Sequence, residues 1–61
     1  MRHFSFSELD NYRSLKRRGQ TNALIASRWR RTPGEVDVAL NAMLGRDVCE
    51  AADVLNRRVS A

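Results

Sequence analysis

The segment Thr32-Pro33-Gly34-Glu35 constrains the fold more than any other feature of the sequence, because it marks where a helix begins. Threonine is favoured at the N-cap, proline at the first helical position, and glutamate three residues after the cap completes a capping box. Apolar residues follow at steps of three and four: Val36, Ala39, Leu40, Met43 and Leu44. Gly45 occupies the position that favours a left-handed residue at a helix end. We therefore expect an amphipathic helix here and a tight turn just before it.

Similar signals indicate three further helices. They are expected to run from Ser5 or Ser7 to Gly19, from Thr21 or Asn22 to Arg31, and from Asp47 to about Val59. The pairs Ser5-x-x-Glu8 and Ser7-x-x-Asp10 have the spacing of helix caps, and basic residues occupy the last turn of each helix. No segment alternates between apolar and polar residues, so no strand is expected.

The predicted fold class is all-α: a three-helix helix-turn-helix bundle with a fourth C-terminal helix, forming a single domain over residues 1–61. Cys49 is the only cysteine and His3 the only histidine, which excludes a disulfide within one chain and argues against a zinc site. Such a short chain must rely on packed helices. The expected core comprises Leu9, Tyr12, Leu15, Ile25, Ala26, Trp29, Val36, Leu40, Met43 and Leu55, with Phe4 or Phe6 covering one end.

The fourth helix carries a narrow apolar seam. Val48, Ala52, Leu55 and Val59 follow one another at steps of four, three and four. A seam of this kind packs either on the other helices of the chain or on a second copy. We expect packing within the chain, because three short helices bury too little apolar surface.

The residue types that catalysis needs are sparse. His3 lies in a terminus that is expected to be mobile, and Cys49 has no histidine nearby and is expected to be buried in a helix. We find no glycine-rich phosphate loop and no common hydrolase motif in the sequence. We therefore expect no enzymatic activity, no metal site and no cofactor. Without a long apolar run or a secretory signal, the chain is expected to be cytoplasmic and not to contact a membrane.

Positive charge is concentrated in one part of the chain. Residues 11–34 contain seven basic residues and no acidic one, whereas residues 35–53 contain five acidic residues and one basic residue. Most of the bases are arginine, which is suited to bidentate contacts with phosphate or carboxylate. Basic residues at helix C-termini also stabilise the helix dipole, and that role needs no ligand.

The segment Ile25-Ala26-Ser27-Arg28-Trp29-Arg30-Arg31-Thr32-Pro33-Gly34-Glu35-Val36 resembles small helix-turn-helix DNA-binding domains of the Myb/SANT-like three-helix type. The shared features are an Ile-Ala pair, an apolar residue one turn later, and Arg-Thr-Pro followed by valine. Leu15-Lys16-x-x-Gly19 is similar to the end of the family's first helix, so the resemblance covers about residues 7–46. The sequence departs from the pattern in having no glycine in the turn and only one tryptophan.

The resemblance implies that the helix after the turn enters the major groove of duplex DNA by its N-terminal end. Residues on the exposed face of this helix would then face bases or the nearby backbone: Thr32, Gly34, Asp37, Val38 and Asn41. Asn41 would be suited to adenine and Asp37 to cytosine, although Asn41 fits a solvated helix position equally well. Basic residues on either side would hold phosphates: Lys16, Arg17, Arg18, Arg28, Arg30 and Arg31.

Two functions follow from these features. The first is binding of duplex DNA by a small transcriptional regulator, and a dimer or larger complex is expected because a chain this short makes few contacts. The second is an adaptor or anti-activator that binds another regulatory protein through its acidic helices. Glu35 and Asp37 favour the second function, since carboxylates at the start of the reading helix would repel phosphates.

Overall fold

The chain forms four α-helices joined by short turns. The computed structural model describes residues 2–60, and no strand occurs in that range. The helices are α1 (Phe6–Arg17), α2 (Asn22–Trp29), α3 (Pro33–Ala42) and α4 (Val48–Ser60). The predicted all-α fold with four helices is therefore confirmed.

Each helix begins at a residue whose side chain accepts a hydrogen bond from a backbone amide three residues further on. These caps are Ser5, Thr21, Thr32 and Asp47, with donor–acceptor distances of 2.8–3.2 Å. At the start of α3 the capping box is complete, because the backbone amide of Thr32 also donates to Oε1 of Glu35 at 2.9 Å. The starts of the helices are thus determined by local sequence.

The core lies where α1 meets the other three helices. α1 packs on α2, α3 and α4, while α3 also packs on α2 and α4. Most of the expected core residues are buried: Leu9, Tyr12, Leu15, Ile25, Ala26, Val36, Met43 and Leu55. Trp29 and Leu40 are only partly buried. Trp29 lies edge-on to Tyr12, with 6.3 Å between ring centroids, and its Nε1 donates to Oδ1 of Asn11 at 2.8 Å.

α4 packs on α1 and α3 of the same chain, as expected. Ala52 and Leu55 of the predicted seam are buried, and Val48 and Val59 are partly buried. Ala51 is buried as well, so the apolar face is wider than the sequence spacing indicated. Cys49 was expected to be buried, but it is exposed in the first turn of α4.

The segment before α1 is held against the helices. The backbone amide of Phe4 donates to Oδ1 of Asn56 at 2.8 Å, and Nδ2 of Asn56 donates to the Phe4 carbonyl at 3.0 Å. The Phe4 ring is buried and packs edge-on against Tyr12, whereas Phe6 is exposed. The expectation of a mobile terminus therefore does not hold for residues 2–4, because hydrogen bonds tie them to α4 and to the turn between α2 and α3.

Candidate nucleic-acid interface

The turn between α2 and α3 consists of residues 30–32, and Arg30 bends the chain there. Arg30 has φ 54° and ψ 47°, which is the left-handed helical conformation. Among the described residues it is the only non-glycine with positive φ. The next amide, that of Arg31, donates to the Ala26 carbonyl at 2.8 Å and closes the end of α2. Glycine usually occupies such a position because it has no Cβ, so arginine is held here at a conformational cost.

Arg31, one residue later, is buried. Its side chain is 1% exposed, and all five of its N–H groups find acceptors. Nε and Nη2 donate to the two carboxylate oxygens of Glu8 at 2.5 and 3.0 Å, while Nη1 donates to Glu35 at 3.2 Å. The remaining N–H groups donate to the carbonyls of Arg2 and His3, and the guanidinium lies 3.9 Å from the centre of the Phe4 ring.

Arg31 is therefore a structural residue, and its predicted contact with phosphate is wrong in this structure. A buried guanidinium whose five donors are satisfied has none left for a ligand. It joins α1, the start of α3 and the N-terminal segment in one network. The sequence does contain a signal for this role: Glu8 follows the cap Ser5 by three residues, and it also lies one turn before Tyr12 on the buried face of α1.

The carboxylates of this network are held in their charged form. Burial would raise the pKa of Glu8, but hydrogen bonds from Arg31 and Tyr12 and the positive charge of Arg31 lower it below the ordinary value. The pKa of Glu35 is lowered mainly by the backbone hydrogen bond from Thr32. The hydrogen bond with Glu8 raises the pKa of Arg31. Glu8 and Glu35 thus serve internal contacts rather than an outward-facing acidic surface.

The other predicted phosphate-contacting residues are exposed: Lys16, Arg17, Arg18, Arg28 and Arg30. The end of α1 and the face of α2 form a groove of about 330 Å³, and Arg18 and Arg28 both line it. No carboxylate is among the residues that line this groove. Lys16 donates to the Gln20 carbonyl at 3.5 Å, a weak contact at the end of α1. The helix packing therefore brings basic side chains from two separate segments, the end of α1 and α2, to one surface.

Four of the predicted base-facing residues are exposed at the start or on the outer face of α3: Thr32, Gly34, Asp37 and Asn41. Val38 was expected on the same exposed face, but it is partly buried and packs against the core. Nδ2 of Asn41 is 3.5 Å from Oδ2 of Asp37, so the two side chains lie one turn apart on the same face. Both amide and carboxylate retain atoms that can reach a partner.

Three basic residues near this surface were missed by the sequence analysis. Arg2 donates to the carbonyls of Trp29 and Arg30, which places it against the α2–α3 turn. Arg46 and Arg58 line a groove of about 250 Å³ between α3 and α4, together with Asn41. The sequence does contain a signal for Arg58. Asp53 lies four residues before Arg57, which is the spacing of an ion pair on a helix, so Asp53 pairs with Arg57 and the charge of Arg58 stays available for a ligand.

Within residues 2–60, no group of three or more His, Cys, Asp and Glu side chains is arranged to hold a metal ion. None of the helices in the described part of the chain has the length and apolar character needed to cross a membrane.

Comparisons with protein-family models, with curated proteins and with solved structures give no significant match to this chain.

Proposed function

We propose that this protein is a non-catalytic helix-turn-helix protein that binds duplex DNA and acts as a transcriptional regulator. The observation that carries the proposal is the groove lined by Arg18 of the α1 end and Arg28 of α2, with no carboxylate among its lining residues. Contacts between basic side chains and phosphates supply most of the sequence-independent affinity of a protein for DNA.

The conformation of Arg30 supports the same function. An exposed arginine occupies a left-handed position where glycine would be less strained. No carboxylate among residues 2–60 forms an ion pair with any of four exposed basic residues: Arg17, Arg18, Arg28 and Arg30. A left-handed backbone conformation is strained for a residue other than glycine, and such strain at an exposed charged residue is typical of a functional position.

The acidic residues at the start of α3 oppose DNA binding less than their sequence positions suggested. Glu35 belongs to the capping box and also accepts a hydrogen bond from Arg31. Of the two carboxylates at the start of α3, Asp37 is exposed and Glu35 is partly buried. We propose that Asp37 and Asn41 face the nucleobases, while the exposed arginine and lysine side chains contact phosphates beside α3.

The alternative, binding of another regulatory protein through acidic helices, relied on Glu35 and Asp37 together. Because the Glu35 carboxylate is used within the chain, one exposed charge remains for such a partner in this part of α3. With DNA as the main partner, a second regulatory protein or a second copy of the chain would join the complex, and the protein-only alternative keeps Asp37 as its exposed contact in this part of α3.

The test is a titration of a fluorescently labelled random-sequence duplex at 50 and 200 mM salt. The wild-type chain is expected to bind with an affinity that falls steeply with salt. Arg18→Gln with Arg28→Gln should flatten the slope of log affinity against log salt by about two units.

The matched control is Arg13→Gln with Arg57→Gln. It removes the same charge, but each of these arginines pairs with a carboxylate on its own helix, at 3.7 Å for Asp10 and 2.9 Å for Asp53. The control should flatten the slope much less. Absence of duplex binding by the wild-type chain at 50 mM salt would contradict the proposal.

A further inference from the structure

The groove between α3 and α4 has an apolar floor and a basic rim. Val38 and Ala42 of α3 and Val54 of α4 form its apolar part. Asn41, Arg46 and Arg58 supply the polar groups, and no acidic residue lines it. Asp37, which lies one turn before Asn41, is outside the lining.

The arginines of this rim keep donors available. Nη1 of Arg46 donates to the Ala42 carbonyl at 3.1 Å, which anchors the guanidinium at the end of α3 while its other N–H groups have no partner within residues 2–60. Arg58 is exposed and has neither a hydrogen bond nor an ion pair from its side chain in that range. Its neighbour Arg57 is instead neutralised by Asp53 at 2.9 Å.

The position of α3 explains why two basic rims are useful. α3 packs on both α2 and α4, Val38 and Ala42 line the groove on its α4 side, and Gly34, Asp37 and Asn41 are exposed. A helix that lies in the major groove has a phosphate backbone on each side. Arg28 lies on α2 and Arg30 directly follows that helix. Arg46 and Arg58 line the groove between α3 and α4.

We infer that Arg46 and Arg58 contact the phosphates on the α4 side of α3, so that α4 adds a second backbone contact to the interface. This inference rests on the proposed DNA-binding function. The charge of the rim matches phosphate, and the apolar floor suits the sugar faces between phosphates. The α4 helix then both completes the core and takes part in binding.

The test compares Arg46→Gln with Arg58→Gln against the charge-matched control Arg13→Gln with Arg57→Gln, using the same labelled duplex. Two lost phosphate contacts should reduce the fall in affinity between 50 and 200 mM salt by about tenfold relative to the control. Thermal unfolding is measured for each variant to establish that it is folded. Arg46→Lys with Arg58→Lys keeps both charges and should retain the wild-type salt slope.

Each outcome has a definite meaning. Equal salt slopes for the rim variant and the control would overturn the inference. If Arg18→Gln with Arg28→Gln still flattens the slope in that case, the proposed function stands without the α4 contact. If the wild-type chain binds no duplex at 50 mM salt, both the function and this inference fail. A rim variant that does not fold is replaced by Arg58→Gln alone, which should flatten the slope by about one unit, and no flattening would count against the inference.

Discussion

Arg31 and Glu8, 23 residues apart in the chain, form a bidentate ion pair in the interior of the domain. Both carboxylate oxygens accept from the guanidinium, and Tyr12 donates its hydroxyl to the same carboxylate. Removing one partner of a buried pair leaves an uncompensated charge in the core, which is more costly than the pair is favourable. This network is therefore the part of the fold most sensitive to a single substitution.

Glu8→Gln should destabilise the domain by about 3–5 kcal/mol, because the buried Arg31 would lose its bidentate partner and keep only the ion pair with Glu35 at 3.2 Å. A loss of this size is comparable with the whole stability expected of so short a chain. The measurement is urea or thermal unfolding followed by circular dichroism. Glu50→Gln is the control, since Glu50 is exposed and should change stability by less than about 0.5 kcal/mol. Similar melting temperatures for the two variants would contradict the assigned role.

Stability should fall in acid. The pKa values of Glu8 and Glu35 are lowered in the folded chain from the ordinary value of 4.5. The contribution of the two ionised carboxylates to the free energy of unfolding is therefore complete above that value and is lost as the pH falls through their lowered pKa values in the folded chain. Melting temperatures between pH 7 and pH 2 check this expectation, and Glu35→Gln should lose less stability over that interval than the wild type. A melting temperature that is constant down to pH 2 would rule it out.

Stability should also fall in alkali because of Tyr12. Burial raises the pKa of Tyr12 above its ordinary value of 10.0, and the hydrogen bond to Glu8 raises it further. As the pH rises, the unfolded chain loses the phenolic proton before the folded chain does. The contribution of the protonated Tyr12 hydroxyl to the free energy of unfolding is therefore complete below pH 10.0 and is lost as the pH rises through the raised pKa of the folded chain. Tyr12→Phe should remove this dependence at the cost of one hydrogen bond, and absorbance at the phenolate band during alkaline unfolding gives the measurement.

The elements that local sequence determines were predictable, and the contacts that depend on tertiary packing were not. Thr32 and Asp47 cap helices through residues three positions away, so their roles are visible in the sequence. The pairing of Glu8 with Arg31 joins α1 to the turn between α2 and α3, and nothing in the spacing of the two residues indicates it. For this reason the sequence predicts Arg31 on the surface with the other arginines, whereas the structure buries it. Arg46 and Arg58 come together only through the packing of α4 on α3, which the spacing of the two residues does not indicate either.

Trp29→Ala should cost about 2–3 kcal/mol, below the value for a fully buried tryptophan, because part of its ring is exposed. The loss combines the edge-on contact with Tyr12 and the hydrogen bond to Asn11. Trp29→Phe keeps the ring contact and should lose less stability. An unchanged melting curve for Trp29→Ala would instead assign the side chain to a ligand-contacting surface.

Arg30→Gly should affect stability and binding in opposite directions. Glycine relieves the left-handed conformation at φ 54°, which we expect to add about 1 kcal/mol of stability and to raise the Tm by roughly 4–8 °C. The same change removes one phosphate contact and should flatten the salt slope of DNA binding by about one unit. Arg28→Gln is the control, because it should flatten the slope without stabilising the fold. A more stable Arg30→Gly variant with unchanged DNA binding would show that Arg30 only shapes the turn.

Asp37→Asn separates the two proposed kinds of partner. Asp37 is exposed beside Asn41 on the outer face of α3, and its charge would repel phosphates in the major groove. Removing that charge should tighten binding to random-sequence DNA at 50 mM salt by about threefold. Glu50→Gln makes the same change in net charge at the start of α4 and should have a smaller effect. If a basic protein surface is the partner, Asp37→Asn should weaken that complex instead. Affinity for DNA that responds equally to both substitutions would mean that the face of α3 carrying Asp37 is solvated in the complex and reads no bases.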